Sequence, residues 1–563
     1  MKNTKLREKV EFSTVKELVE KVCETYKNDV VYSFRNAPRD KDIVKVTYEQ
    51  FRDDVRALST EFIARGYKDK HISVIGKLTY SWICVYWAAL STGSVLVPLD
   101  PEWTADDLAD TASKAHTHAL FISKDIAVKA DTIKEKANIA DLFIIEGNEE
   151  NTVRDLIESG KKRIADGDNS YFENEPDAEK MALLVFTSGT TGKGKGVMLS
   201  QKAILSDLAD VIPYVSFRKK TIALLPPHHT YGSSVAILGQ TSIGCEIYIS
   251  AGIKYIQKEL KEQKPGHIVL VPLYLETFYR KIQANIKDQG KEALVNKMMK
   301  LSGRLLKVGI DIRRKLFKNI LDVFGGETTM VISGGAPISQ EVMDFFNGIG
   351  ISVLNGYGIT ECAPIIAVNH SKFPVAGSVG FPLTIDDVII DSPNEDGEGE
   401  ICVKGPNVML GYYEDEETTA QAFNEEGYFK TGDYGKFDKY GALHITGRLK
   451  NLIILSNGKN VYPEEIETEL ASVPGVLDII VYEGQSKRGV EHNQIVAEIF
   501  PDKEYIEKNN ITDVQAYLQE FVNNYNRNAV PYKKIGVLKV RDEEFPKNTL
   551  RKIMRFKLDM SID

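Results

Sequence analysis

Between Phe51 and Ile63 the apolar residues Phe51, Val55, Leu58, Phe62 and Ile63 recur every three or four positions, and Gly66 closes the segment. That spacing paints one face of an α-helix. HISVIG (71–76) then reads as a buried strand, Trp82–Ala89 as a helix and SVLVPLD (94–100) as a second strand. TADDLADTASKAHT follows, with Thr104 as its N-cap and acids in its first turn, where they suit the exposed N–H groups. HALFISKD resumes the sheet. Strands alternating with helices predict a parallel sheet covered on both faces.

The rhythm returns after a polar stretch near 145–180. ALLVFT, IALLPP, HIVLVP, TMVISGG and SVLNGYG are short apolar runs, each ending in glycine, proline or polar residues. Ligands of such sheets sit beyond the carboxyl ends of the strands, and the unusual residues gather there. From about Gly377 to Arg448 the texture turns β-rich, predicting a small β-barrel or distorted sheet. After GRLKN comes a compact α+β remainder. The expected architecture is therefore α/β: residues 1–449 as a large domain of two doubly wound, mainly parallel sheets plus a small β-barrel, and residues 450–563 as a smaller α+β domain.

Ser81–Leu99 is the one stretch apolar enough to suggest a membrane span. Ser91, Thr92 and Gly93 divide it into a short helix and a strand, whereas a span needs ~20 uninterrupted apolar residues. Any membrane contact is expected to be peripheral.

Composition narrows the class. A chain of 563 residues is too long for one core and implies three or four lobes. A net charge of -9 argues against a nucleic-acid partner, which would call for a basic face. Cys23, Cys84, Cys245, Cys362 and Cys402 are scattered and form no CxxC pair, so neither zinc nor a disulfide framework is expected. The charged N-terminus, MKNTKLREKVEFSTVKELVEK, has no apolar signal core, and the expected location is cytoplasmic.

The densest chemistry lies in LLVFTSGTTGKGKGVMLS (183–200). A strand ends in Thr187, Ser188, Gly189, Thr190, Thr191 and Gly192, with Lys193 and Lys195 after it. Glycines let backbone N–H groups converge, hydroxyls add donors and lysines add charge, which together make a phosphate cradle. Gly189–Lys195 also fits GxxxxGK, but a Walker A loop then needs Ser or Thr for magnesium, and Gly196 stands there.

TSGTTGKGKGV resembles the phosphate loop of the adenylate-forming superfamily of acyl- and aryl-CoA synthetases, peptide-synthetase adenylation domains and firefly-type luciferases. Gly194 replaces the proline usual before the second lysine. Further stations follow in the family's order. LPPHHTYG resembles the segment whose histidine, here His229, lies beside the carboxylate pocket. SGGAPIS (333–339) and NGYGITE (355–361) resemble the adenine-binding pair, implying a base between the Gly335–Ala336–Pro337 backbone and the Tyr357 ring, with Gly358 in the same turn. By the same resemblance Thr360 donates to the α-phosphate, Glu361 binds Mg²⁺ and Asp433 in YFKTGD accepts the ribose hydroxyls. GRLKNLIILSNGKNVYPEEIE resembles the hinge motif: Arg448 would reach ribose and phosphate, Lys450 would be the pivot of a mobile C-terminal domain, and Gly458 would border the pantetheine arm. FPKNTLRKI resembles the last motif, whose lysine is Lys552, with Arg551 where glycine is usual.

The residue types suit the chemistry that this resemblance implies. A carboxylic acid with a pKa of ~4–5 is already an anion and needs no general base. The obstacle is attack by an anion on a polyanion, so catalysis rests on positioning and charge neutralisation. Lys552, Thr360 and Glu361-bound Mg²⁺ would serve the α-phosphate, and rotation about the hinge would then admit a thiol. KPGHIVLVPLYLETFYRKI (264–282), RRKLFKNILDVFGGETTMVISGGAPIS and EICVKGPNVMLGYYEDEETT resemble the long-chain fatty acid–CoA ligases, with a charged helical insert at about 283–325. The implied substrates are a medium- to long-chain fatty acid, ATP and coenzyme A. An acyl carrier protein as acceptor, or an aryl or other small acid as substrate, are the alternatives. A luciferase-like oxygenase and a non-catalytic nucleotide-binding module belong to other classes, and nothing in the sequence favours them.

Overall fold

Strand Val95–Leu99 shows why the first sheet is covered twice. Val95, Val97 and Leu99 join the apolar cluster on one face, with Leu108, Ala112 and Ile133, while Leu96 joins the main cluster on the other. Thr117–Ile122 alternates the same way, with Ala119 and Phe121 on one side and Leu120 and Ile122 on the other. This is the period-two pattern of a strand buried on both faces.

The computed structural model describes residues 4–147, 150–187, 194–454, 460–484, 494–548 and 552–562. Its first sheet has seven strands in the order Gly411–Tyr412, Lys195–Ser200, Met181–Thr187, Val95–Leu99, His71–Ile75, Thr117–Ile122 and Asp141–Ile144. The last five run parallel, whereas Lys195–Ser200 is antiparallel to both its neighbours. A second sheet comes in two pieces. Val44–Thr47, Val30–Phe34, Glu246–Ile249 and Lys220–Ala223 form one, and His267–Leu270, Met330–Ser333, Ser352–Gly358, Ile365–Val368 and Phe381–Pro382 the other. The Gly266 N–H joins the pieces by donating to the Lys220 carbonyl at 2.9 Å.

The expected barrel is not closed. Asp387–Asp391, Gly399–Lys404, Phe429–Phe437 and Leu443–Arg448 make an open antiparallel sheet in that order. Register shifts at Glu400/Cys402 and Tyr434/Gly435 bend it, which turns the strands without pairing the edges.

Thr79 starts the most apolar helix, Tyr80–Thr92, its hydroxyl accepting the Trp82 N–H at 3.2 Å. The helix runs past the expected break at Ser91, and the Thr92 hydroxyl is satisfied within it by donating to the Ala88 carbonyl one turn back. Gly93, at φ +83°, ends it. Trp82 and Trp87 are buried, so this stretch is core, and among the described residues no helix is long and apolar enough to cross a membrane. The 283–325 insert is helical: Glu292–Lys307 lays Val295, Met298 and Met299 against the cluster containing Phe345 and Phe346.

Beyond residue 452, strands Val476–Gly484, Gln494–Pro501 and Val537–Val540 form a separate sheet with helices Pro463–Leu470 and Val514–Asn528. It has apolar clusters of its own, around Ile466, Val481 and Val522 and around Tyr482 and Phe545. All five cysteines of the chain are free thiols buried in the structure.

Candidate active site

Asp433 is the most firmly held of the expected site residues. It lies directly opposite Arg448 on the neighbouring antiparallel strand, which puts the Arg448 Nε 2.8 Å from Asp433 Oδ1. The Tyr357 hydroxyl donates to Asp433 Oδ2 at 2.7 Å. Burial pushes the Asp433 pKa up, while Arg448, the Tyr357 hydrogen bond and Lys552 all oppose that shift. Gly432, at φ +70°, makes the turn that aims this carboxylate, and the Asp433 N–H is tied to the Thr431 hydroxyl at 3.1 Å.

The two glycine segments sit where their strands end. Gly335, at φ +86°, follows Met330–Ser333. Gly358 closes Ser352–Gly358, and a Cβ there would lie 1.8 Å from the Pro364 carbonyl oxygen. No side chain fits. Ala336 and Pro337 follow directly, before helix Gln340–Ile349. The Ser333 Oγ and Asn355 Oδ1 atoms are buried beside these turns without a hydrogen-bond partner among the described residues. A buried acceptor left unpaired costs roughly 1–3 kcal/mol, so such groups suit a ligand that supplies the missing bond.

His229 lies past the Lys220–Ala223 strand, its ring 4.3 Å centroid to centroid from that of His228. The His228 Nε2 is 3.6 Å from the Asp100 carboxylate, itself just past the end of Val95–Leu99. Burial lowers His228 to about 3. Burial, then His228 and Lys552, hold His229 well below the ordinary histidine value. Both imidazoles are therefore neutral at neutral pH. The turn itself requires Gly232, whose Cβ would meet the Pro226 carbonyl oxygen at 2.2 Å.

Lys552 comes from the far end of the chain into the same cleft. Its ammonium is lowered from 10.5 to about 8, first by the protein surrounding it and then by Arg448, with Asp433 pulling the other way. The side chain still reaches solvent. Lys552 thus comes within electrostatic reach of Asp433, Arg448 and His229, all distant from it in sequence.

Glu361 follows Thr360 in the single turn Thr360–Cys362, and its Oε1 accepts from the Tyr412 hydroxyl at 3.0 Å. The Lys195 Nζ lies 4.7 Å from the centroid of the same Tyr412 ring, which links the strand pair Met181–Thr187 and Lys195–Ser200 to the Glu361 turn. Thr187 and Lys195 lie opposite each other in that strand pair. Lys450 occupies the turn Leu449–Asn451, immediately after the strand that ends in Arg448. Ser188, Gly189, Thr190, Thr191, Gly192, Gly458 and Arg551 lie outside the described residues.

Several residues at this site escaped the sequence reading. Tyr412 lies within EICVKGPNVMLGYYEDEETT, and it reaches Glu361 through the pairing of Gly411–Tyr412 with Val197–Met198 and the Met409 N–H that donates to the Glu361 carbonyl at 2.8 Å. Asp100 and His228 were passed over because a strand-end acid and the first of two histidines carry no signature. Tyr231 was missed too; its hydroxyl donates toward the Leu270 and Ile332 carbonyls at 3.3 and 3.2 Å, tying adjacent strands together beneath Gly334.

The architecture is that of the adenylating enzymes. ATP-bound MatB from Rhodopseudomonas palustris superposes with a TM-score of 0.74 at 22% identity, covering 96% of this chain and 97% of that one. The anthranilate CoA ligase AuaEII does so with a TM-score of 0.76 at 14% identity, covering 97% and 96%. The chain belongs to the AMP-binding enzyme family, whose model matches residues 19–413. Among curated relatives, the chloroplastic long-chain-fatty-acid–acyl-carrier-protein ligase AEE15 of Arabidopsis thaliana is 27% identical over 537 residues, 82% of this chain and 73% of that protein. Long-chain-fatty-acid–CoA ligase 5 of Rattus norvegicus is 28% identical over 497 residues, 82% and 71%.

Proposed function

We propose that this protein is an ATP-dependent, AMP-forming ligase that activates a medium- to long-chain fatty acid as its acyl-adenylate and transfers the acyl group to coenzyme A. The observation that carries the reading is the meeting of Lys552 with Asp433, Arg448 and His229 in one cleft. In this reading the adenine base lies between Gly335–Ala336–Pro337 and the Tyr357 ring, and its amino group can donate to the orphaned Asn355 Oδ1. Asp433 accepts the ribose hydroxyls, and Arg448 reaches from ribose to phosphate. Thr187 and Lys195 would serve the β- and γ-phosphates.

The acid arrives ionised beside neutral His229, which adds no second charge for it to neutralise. A carboxylate oxygen attacks the α-phosphorus, the bond to pyrophosphate breaks, and Lys552 with Thr360 neutralises charge on the α-phosphate oxygens. Among the described residues no cluster of three His, Cys, Asp or Glu side chains could hold a metal ion by itself. That fits Mg²⁺, which is commonly bound by one carboxylate, here Glu361, together with phosphate oxygens and water. When bound it would supply Lewis-acid charge to the phosphates. In the second step the thiol sulfur bonds to the acyl carbon, AMP leaves and the thiol loses its proton. Lys450 is the pivot between the two steps, dividing residues 1–449 from 450–563, and Gly458 lines the path of the thiol. A cytoplasmic location, with at most peripheral membrane contact, accompanies this reading.

An acyl carrier protein as acceptor is the second reading, favoured by the likeness to AEE15, which is named for that acceptor. The test is AMP formation across acids from two to eighteen carbons, plus benzoate, with coenzyme A or a carrier protein as sole thiol. Each buried methylene adds ~0.8 kcal/mol, so efficiency should climb steeply with length and then level off. A peak at two to four carbons or with benzoate would move the assignment to a small or aryl acid. Thioester formed only with the carrier would favour the second reading.

A further inference from the structure

The segment that carries Lys552 is tied to a helix at the other end of the fold by a chain of polar contacts. Lys552 sits on a short hairpin. The Asn548 N–H donates to the Lys552 carbonyl at 3.0 Å, the Lys552 N–H donates to Asn548 Oδ1 at 2.9 Å, and Lys547 pairs with Ile553 across the turn. One residue back from that turn, the Lys547 ammonium is 2.6 Å from Asp478 Oδ2. This ion pair is largely removed from solvent, at 8% and 11% exposure, so it fixes the hairpin to the start of strand Val476–Gly484 with more weight than a surface pair would carry.

The same strand start is gripped from outside. Arg280, on helix Pro272–Asp288, donates through Nη1 toward the Val476 and Leu477 carbonyls at 3.3 and 3.5 Å. Glu276, one turn earlier on that helix, feels both Arg280 and Asp478: burial raises its pKa, Arg280 lowers it and Asp478 raises it further. The Lys547–Asp478 pair and the Glu276–Arg280 pair therefore face each other across the junction, with the two acids as like-charged neighbours. The far end of the helix has its own tie, with Lys508 Nζ 2.5 Å from Asp288 Oδ2 and Lys287 Nζ donating to Asn509 Oδ1 at 3.4 Å.

We propose that Arg280 is a positioning residue for Lys552: by holding Val476 and Leu477 it fixes Asp478, Lys547 and the hairpin in the placement that brings Lys552 beside Asp433. This rests on the reading of Lys552 as the residue that serves the α-phosphate. Arg280 touches no reacting atom. Its contacts accompany the arrangement in which Lys552 faces Asp433, so their loss should weaken that arrangement and leave the nucleotide-binding residues untouched. Once the C-terminal unit rotates away for the second step, Arg280 has no part left to play.

The experiment separates the two half-reactions in the full-length protein. Adenylation is followed as acid-dependent exchange of pyrophosphate into ATP, and thioester formation is followed from supplied acyl-adenylate and coenzyme A. A misplacement of about 1 Å in a catalytic group costs of order a hundredfold, so Arg280→Ala should lower the adenylation kcat by about ten- to a hundredfold. The KM for ATP and thioester formation from supplied adenylate should stay near wild type. Arg280→Lys, which keeps one donor, should recover part of the loss. In a Lys552→Ala background, Arg280→Ala should cost nothing further, since it acts through the missing ammonium. Equal losses in both half-reactions, no loss in either, or a full additional loss in the Lys552→Ala background would each overturn the proposal. Wild-type exchange by Lys552→Ala itself would instead overturn the underlying reading.

Discussion

Lys552 carries the most demanding assignment of any single residue in this chain. Its ammonium must be protonated to neutralise α-phosphate charge, and in the free protein its pKa is lowered to about 8. Adenylation, measured as kcat/KM for ATP, should therefore fall as pH rises through about 8, and Lys552→Ala should remove that limb together with roughly 3–4 kcal/mol of transition-state stabilisation. Asp433→Ala removes a carboxylate that two ribose hydroxyls would share and should raise the KM for ATP by at least tenfold, because a charge-assisted hydrogen bond is about twice as strong as a neutral one. Glu361→Gln should raise the Mg²⁺ concentration needed for half-maximal rate; an unchanged metal dependence would remove Glu361 from the site. Asp386 offers a test that is independent of catalysis. Burial pushes it from 3.8 up to about 7, with Asp210 adding to the shift and the Asn407 amide, 3.0 Å from Oδ2, opposing it. A carboxyl raised in the fold binds its proton more tightly folded than unfolded, so its contribution to stability falls as pH climbs from about 4 to about 7 and stays lost above. Asp386→Asn should flatten that slope and raise Tm at pH 8 by about 2–4 °C.

At the scale of elements, legibility followed the source of each signal. Alternating apolar residues such as Val95, Leu96 and Val97 mark their strand and its two buried faces, because burial acts on each side chain separately. Thr104 could be named as an N-cap for the same local reason, and it does accept the Asp107 N–H at 3.1 Å. Closure of the 387–448 sheet was not legible, since it depends on whether edge strands meet, and two bulges settle that. The same split runs through the site. Asp433, Arg448 and Tyr357 each stand in a segment with its own signature, whereas Tyr412 reaches Glu361 through long-range backbone pairing that sequence spacing does not reveal. Gly358 was marked as part of the nucleotide turn, and the structure adds a reason of packing. With the Pro364 oxygen 1.8 Å from a would-be Cβ, Gly358→Ala should lower stability by roughly 1–3 kcal/mol, visible as a Tm drop even without nucleotide.

The whole molecule has apolar clusters that do not merge. Those around Ile466 and Tyr482 are separate from the ones that fill the two large sheets. Cores that do not share side chains can melt separately, so calorimetry should show more than one transition rather than a single two-state peak. ATP with Mg²⁺ should raise the transition of the larger unit, because Tyr357, Asp433 and Arg448 all lie there; at a hundred times Kd the gain is about 2.7 kcal/mol.

The buried cysteines bear on a hazard peculiar to this chemistry. An acyl-adenylate is an acylating agent, and in the proposed reaction its intended target is a thiol, so any accessible cysteine of the protein would compete for the acyl group. Thiolate is the reactive form, and burial raises Cys23, Cys245 and Cys402 to about 12 and carries Cys84 and Cys362 well above the ordinary value. Cys362 is the informative case, because it follows Glu361 directly and yet has no solvent exposure. Burial thus keeps the protein's own sulfur out of the competition, and its native thiols should be silent toward labelling reagents. A single cysteine introduced on either side of the cleft would then be the one position a dye could find.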